Sequence, residues 1–234
     1  MSGKHRLFGH GELRRLASNL WIVRGGMPFT LYRNMVVYRL DDGRLLLHGL
    51  VALSDAGMKE LEAIGLPSIL IVPHRYDAMD ARWYAERYPQ AAFLTPDEER
   101  PEVEALGMKI ADDPGRTLPP MGFKPHKVAG LKFTEYVLEA PIDEGSALIC
   151  TSIFANTGAA PSNLAGRLVA RLMMSGGRLA PGRMLRTLMV RDRNAFKTFL
   201  AGLSAIPNVR IVTVAHGDPI VDGDIPSQLK AAAA

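Results

Sequence analysis

Short runs of apolar, often β-branched residues recur along this chain, and the apolar positions between them repeat at helical spacing. This alternation most narrows the fold, because strands interleaved with helices bury their apolar faces in a layered α/β architecture. Met35-Val36-Val37-Tyr38-Arg39-Leu40 and Arg44-Leu45-Leu46-Leu47 flank Asp41-Asp42-Gly43, which is hairpin turn chemistry with Gly43 free to take a positive φ. Ser54 then stands as an N-cap before Met58, Leu61 and Ile64, with Gly65 at the C′ position and Pro67 beyond it.

The rhythm continues. Residues 68–72 form an apolar run that reads as a strand buried on both faces. Residues 80–88 carry Trp83, Tyr84 and Arg87 at helical spacing, and 91–94 read as a strand. Thr95-Pro96-Asp97-Glu98 has the form of a capping box with proline at the first helical position, and Pro101 limits that helix. The proline-rich stretch 112–125 reads as a loop, followed by strands over 134–139 and 147–150. Leu164, Leu168, Leu172 and Met173 mark a helix ending near Gly176-Gly177. Phe196, Phe199, Leu200 and Leu203 mark another, capped by Asp192, and 209–215 form the last strand. The final alanines are expected to fray. With no repeat and no linker, residues 1–234 are expected to form one domain, with 1–18 and 225–234 peripheral.

Composition sets the class. A chain of 234 residues with 47% hydrophobic and 22% charged residues is an ordinary globular protein. Its net charge of +4 is too small to imply nucleic acid unless it is clustered. A single cysteine, Cys150, cannot make an internal disulfide, which suits a reducing, cytoplasmic compartment. The first residues lack the apolar core of a secretory signal. No run approaches the roughly 18 apolar residues of a membrane span.

Three histidines follow strands directly: His48, His74 and His216. In open α/β sheets ligands gather at the carboxyl ends of strands. Gly49 and Gly217 allow sharp turns there, and Asp77, Asp80 and Asp218 lie nearby in sequence. Imidazole with carboxylate suits zinc or acid–base work near neutral pH. The plainer reading of any one histidine is a hydrogen bond to a neighbouring carbonyl. Asp77 or Asp80 could equally cap the helix that begins there, with Asp80 better placed.

Around His74 and His216 the pattern resembles a known family. The run 69–74 is similar to the strand delivering the HxHxDH motif of metallo-β-lactamase-like proteins, and Val209 to Asp218 to their late strand ending in one histidine ligand. More closely, the chain resembles an uncharacterised branch of that superfamily, a domain of unknown function in bacteria and plants. The matching features are Asn34-Met35-Val36-Val37, Leu45-Leu46-Leu47-His48, and Pro73-His74 followed by Trp83 and Tyr88-Pro89. Glu135-Tyr136-Val137-Leu138, Ala147-Leu148-Ile149-Cys150 and Ala215-His216-Gly217-Asp218-Pro219 follow in order.

The resemblance implies a four-layer αββα sandwich in which a divalent metal, zinc foremost, activates water against an ester, amide or phosphoester. The motif has departed from the family's. Tyr76, Ala78 and Met79 stand at the second histidine, the aspartate and the last histidine. No histidine falls at 130–135, although His126 lies upstream, and Thr151 or Ser152 stands at the bridging aspartate. A dinuclear zinc centre needs about five or six ligands and one catalytic zinc needs three. The expectation is therefore a hydrolase with a rearranged mononuclear site on His74, Asp77 and His216, supported by His48, with Asp218 as fourth group or acid–base catalyst. The alternative is a catalytically inactive member of the fold that binds a ligand or a protein. A third option uses His216 and Asp218 without metal.

Arg167, Arg171, Arg178, Arg183, Arg186, Arg191 and Arg193 crowd a stretch with no lysine and one acid, Asp192. Arginine suits bidentate capture of carboxylate or phosphate. The partner expected is an anionic small molecule or an acidic protein surface, and the plainer reading is a solvated helix face and loop. Without interleaved aromatics, single-stranded nucleic acid is not expected, and neither is a membrane. Ser175-Gly176-Gly177 is a turn rather than a phosphate loop. Cys150 reads as a small buried hydrophobe.

Overall fold

The computed structural model describes residues 7–28, 32–157 and 178–233. Its contacts divide the chain into two compact units, Met1–Asp113 and Pro114–Ala234. The helix expected around Leu164 to Met173 lies outside the described residues.

The first unit is a seven-stranded sheet in simple sequential order. Its strands are β1 (Arg14–Ala17), β2 (Leu20–Gly26), β3 (Tyr32–Arg39), β4 (Leu45–His48), β5 (Pro67–Ile71), β6 (Ala92–Leu94) and β7 (Ile110–Asp112). Pairing is antiparallel from β1 to β4 and parallel from β4 to β7. The change of sense follows from the connections. Asp41-Asp42-Gly43 turns β3 back on β4 as expected, with Gly43 at φ +83°. Each parallel step instead needs a crossover, and α1 (Asp55–Ile64), α2 (Ala81–Arg87) and α3 (Arg100–Glu104) supply them.

Helix α1 starts where Ser54 Oγ accepts from the Gly57 amide. It buries Met58 and Leu61 against Leu45, Leu47 and Leu70, each such side chain contributing about 1.5–3 kcal/mol. Gly65 ends the helix for a reason other than the expected one. Its backbone is extended, at φ 168°, rather than left-handed. A Cβ there would lie 2.2 Å from the Gly43 carbonyl oxygen, so the close approach of the hairpin requires glycine.

Two local readings change. Thr95 caps no helix: it is fully buried and its hydroxyl donates to the Val72 carbonyl, tying β6 to the end of β5. Helix α3 begins later, with Pro101 in its first turn rather than at its end. Asp80 does sit at the N-cap of α2, but its side chain makes no capping hydrogen bond. The carboxylate turns inward instead, to the Arg33 guanidinium on β3 and the Ala52 amide.

The second unit opens with the stretch expected to be a loop. It holds α4 (Pro114–Thr117), a 3-10 turn (Pro119–Met121) and β8 (Lys124–Lys127). Strands β9 (Tyr136–Ile142) and β10 (Gly145–Ile149) follow, then β11 (Ala155–Asn156). A π-helical turn (Leu185–Met189) leads to α5 (Arg193–Leu203), β12 (Val209–Thr213), β13 (His216–Gly217), β14 (Ile220–Val221) and α6 (Ile225–Ala233). The sheet order is β14-β12-β10-β9-β8, and β11 and β13 form a separate parallel pair. Asp192 caps α5 as expected, its carboxylate accepting from the Asn194 and Ala195 amides.

Phe196, Leu200 and Leu203 of α5 pack with Val137, Leu148 and Val212 of the sheet. Of the alanine end expected to fray, Ala231 to Ala233 form the last turn of α6, and Ile225 and Leu229 anchor that helix in the same core. Alanine is the strongest helix former, and two buried anchors hold the turn. Among the described residues no helix is long and apolar enough to cross a membrane.

Candidate functional site

In the first unit the carboxyl ends of β4 and β5 deliver His48 and His74. His48 is the last residue of β4, in register with Val36 on one side and Ile71 on the other. Gly49 then turns the chain at φ +72°, where a Cβ would meet the Asn34 carbonyl at 2.9 Å. His74 leaves β5 through Val72-Pro73 and heads a single 3-10 turn, Arg75–Asp77. That turn folds Asp77 back, placing its Oδ2 3.6 Å from His74 Nε2. Both histidines are nearly inaccessible, His48 at 3% and His74 at 2% exposure. Burial pushes the His48 imidazole down to about 4; Asp77 works against this and His74 adds to it. His48 is thus neutral at neutral pH.

The other positions of the HxHxDH pattern carry no metal donor. Tyr76 is exposed and receives a hydrogen bond from Arg75, whose guanidinium lies 4.8 Å over the Tyr76 ring and also pairs with Glu102. Ala78 is buried against the core and Met79 is exposed. Neither the Arg33–Asp80 pair nor the role of His10 carries a local sequence signal. His10 Nε2 accepts from the Ser54 amide at the start of α1, 44 positions away.

In the second unit His216 and Gly217 form β13 beside Ala155 and Asn156. The Asp218 amide donates to the Asn156 carbonyl and the Asn156 amide side chain donates to the Asp218 carbonyl, at 3.0 and 2.8 Å. His216 is half-buried and Asp218 exposed. The stretch 130–135, where the resemblance would put the family's middle histidine, ends at Glu135, and Thr151 or Ser152 stands where it would put the bridging aspartate. Glu135 is buried and accepts from the Ser152 amide at 3.2 Å. Burial, with Glu135 nearby, raises the Cys150 thiol well above its ordinary range, so it stays protonated and behaves as the buried hydrophobe expected. His126 pairs with Glu139 across β8 and β9 at 3.0 Å. Burial raises Glu139, but the hydrogen bonds from Lys124 and His126 outweigh it and hold its carboxyl below the usual range.

Among solved structures, the DIM-1 metallo-β-lactamase matches with a TM-score of 0.63 at 12% identity, over 96% of this chain and 98% of its own. FIM-1 from Pseudomonas aeruginosa, in its mono-zinc form, matches with a TM-score of 0.62 at 11% identity, over 99% and 96%. A metallo-β-lactamase from Hirschia baltica gives 0.55 at 14% identity, over 95% and 97%. The chain has the metallo-β-lactamase fold. It is an α/β sandwich, as the strand–helix rhythm and the resemblance predicted. No family model and no curated protein matches the sequence.

The fold implies a metal, and the donors can be tested against it. Among the described residues no three His, Cys, Asp or Glu side chains come together as a group able to hold an ion. The buried carboxylate nearest the histidines in sequence after Asp77, that of Asp80, is engaged by Arg33. The residues present do not fit a dinuclear centre, which draws on about five or six protein ligands.

Proposed function

We propose that this chain is a catalytically inactive member of the metallo-β-lactamase fold that serves as a ligand-binding module. One observation carries the reading: among the described residues the side chains at the strand ends do not converge as three donors around an ion. Asp77 faces His74, Asp80 neutralises Arg33, and His48 is almost wholly buried. Such pairs hold the ends of β4 and β5 in place without metal.

A second reading keeps a hydrolase with one metal on His74, Asp77 and His216, with His48 in support and Asp218 for acid–base work. It is favoured by the neutral state of His48, because a metal takes the unprotonated imidazole. Asp77 beside His74 would orient that ring as carboxylates do next to ligating histidines.

Metal content decides between them. It is measured by mass spectrometry on protein purified without a histidine tag or chelator, beside a His74→Ala/His216→Ala double variant. The binding-module reading expects no stoichiometric zinc, iron or manganese in either protein, both equally folded by circular dichroism. Near-stoichiometric metal that the double variant loses would overturn it in favour of the hydrolase.

A further inference from the structure

Ser54 does more than cap α1. His10, in the segment that runs beside β2, brings its ring to the same point. Its Nε2 lies 2.9 Å from Ser54 Oγ and accepts from the Ser54 amide at 2.9 Å, and its Nδ1 lies 2.8 Å from the Gly11 carbonyl oxygen. An amide N–H can only donate here and a carbonyl can only accept, so the proton of the neutral ring sits on Nδ1 and Nε2 keeps its lone pair. The Ser54 hydroxyl therefore donates to Nε2. A hydroxyl, a ring nitrogen able to take its proton, and a third group that fixes the ring's tautomer are the parts of an activated serine nucleophile.

The backbone builds a seat for this ring. His10 bridges to Gly25 of β2, and its neighbours Gly9 and Gly11 bond to Gly26 and Arg24 at 2.7 and 2.8 Å. The ring comes to rest over the first turn of α1 at Gly57, where a Cβ would lie 2.6 Å from His10 Cε1 and 3.0 Å from Nε2. Glycine is a poor helix former, but only glycine leaves room for the imidazole at that position. Ser54 and His10 are half-buried, while Gly9, Gly11, Asp55 and Ala56 are exposed, so among the described residues the pair opens to solvent.

Ser54 Oγ gives one lone pair to the Gly57 amide, at a long 3.3 Å, and keeps the other for attack. The first amides of a helix have no carbonyl four residues back. Those of Asp55 and Ala56 follow Ser54 at the head of α1 and suit the oxygen that gains negative charge on an attacked carbonyl. The Asp55 carboxylate, in the same first turn, disfavours acidic acyl groups.

We propose that Ser54 is a covalent acyl-acceptor site that takes small uncharged acyl groups from activated esters or thioesters, with His10 as its base. Ser54 Oγ bonds to the acyl carbon. The bond from that carbon to the departing oxygen or sulfur breaks, and its electron pair leaves on that atom. The hydroxyl proton passes to His10 Nε2 and on to the leaving group. No oxidant, metal or strand-end residue takes part, so acylation of Ser54 stands or falls apart from the metal content of the protein.

The test exposes the full chain to p-nitrophenyl acetate and follows it by intact-mass and peptide-mapping mass spectrometry. One acetyl group per chain should appear on Ser54, at least tenfold faster than in a His10→Gln variant, whose side chain offers an accepting oxygen but cannot take the proton. Ser54→Asn keeps a capping oxygen and should leave that peptide unlabelled. Gly57→Ala favours the helix but displaces the ring, and should slow labelling as His10→Gln does. Unchanged labelling of Ser54 in whichever of these two variants keeps the native circular dichroism spectrum would overturn the proposal. So would labelling confined to lysines and the amino terminus, or none at all.

Discussion

Replacing Asp80 by Asn should destabilise the first unit more than any surface change can. Arg33 on β3 and Asp80 before α2 form a buried ion pair with side-chain exposures of 5% and 6%, and Asp80 also accepts from the Ala52 amide at 2.7 Å. Removing only the negative charge leaves the guanidinium uncompensated in a dry site, which costs about 3–5 kcal/mol. Arg33→Met should cost a similar amount for the mirror-image reason. Arg33→Met/Asp80→Leu removes both charges, leaving mainly the Ala52 amide without its acceptor, at about 1–3 kcal/mol. The double variant should therefore be more stable than either single one. Urea unfolding followed by tryptophan fluorescence reads this unit selectively, because Trp21 and Trp83, the only tryptophans of the chain, both lie in it. Single variants that lose less than about 1 kcal/mol, or a double variant whose loss is the sum of the two, would show that the pair is solvated and the reasoning mistaken.

Four further outcomes follow from local geometry. In metal-free protein His48 titrates near 4 when folded, against 6.5 for the free side chain, so unfolding takes up a proton between those values. Stability is complete above about pH 6.5 and declines as pH falls through 4, with roughly 2–3 kcal/mol lost by pH 4.5; a His48→Leu variant should lack that part of the slope in urea midpoints measured at both pH values. Gly217→Ala would place a Cβ 1.9 Å from the Asn156 carbonyl oxygen at φ +103°, and should lower stability by at least about 2 kcal/mol in thermal melts. Gly107→Ala, at φ +88° with open space around it, should cost only about 1 kcal/mol. Cys150, buried and held protonated, should resist a thiol-reactive disulfide reagent in native buffer and react only in denaturant; rapid native reaction would contradict its burial.

What the sequence determined by itself is the set of elements whose signals are local. The Asp41-Asp42-Gly43 hairpin, the Ser54 and Asp192 caps and the amphipathic face of α5 each depend on residues a few positions apart, and each stands in the structure as read. The strand-end placement of His48 and His74 was legible for the same reason. Tertiary structure decided whatever depends on distant partners. Thr95 looks like a cap in sequence, but a carbonyl 23 positions away takes its hydroxyl. Asp80 looks like another, but Arg33, 47 positions away, takes its carboxylate, since an ion pair sheltered from water outweighs a single capping hydrogen bond. Glu135 carries no periodic signal, yet it is buried beside the Ser152 amide near the end of β10. The arginine-rich stretch announced its charge, but only the packing of the π turn against α5 and α6 brought Arg183, Arg186 and Arg193 to line one pocket with the buried Phe196 and Leu200. Charge is a property of residues; convergence is a property of the fold, because it sets which of many solvated side chains share one cavity.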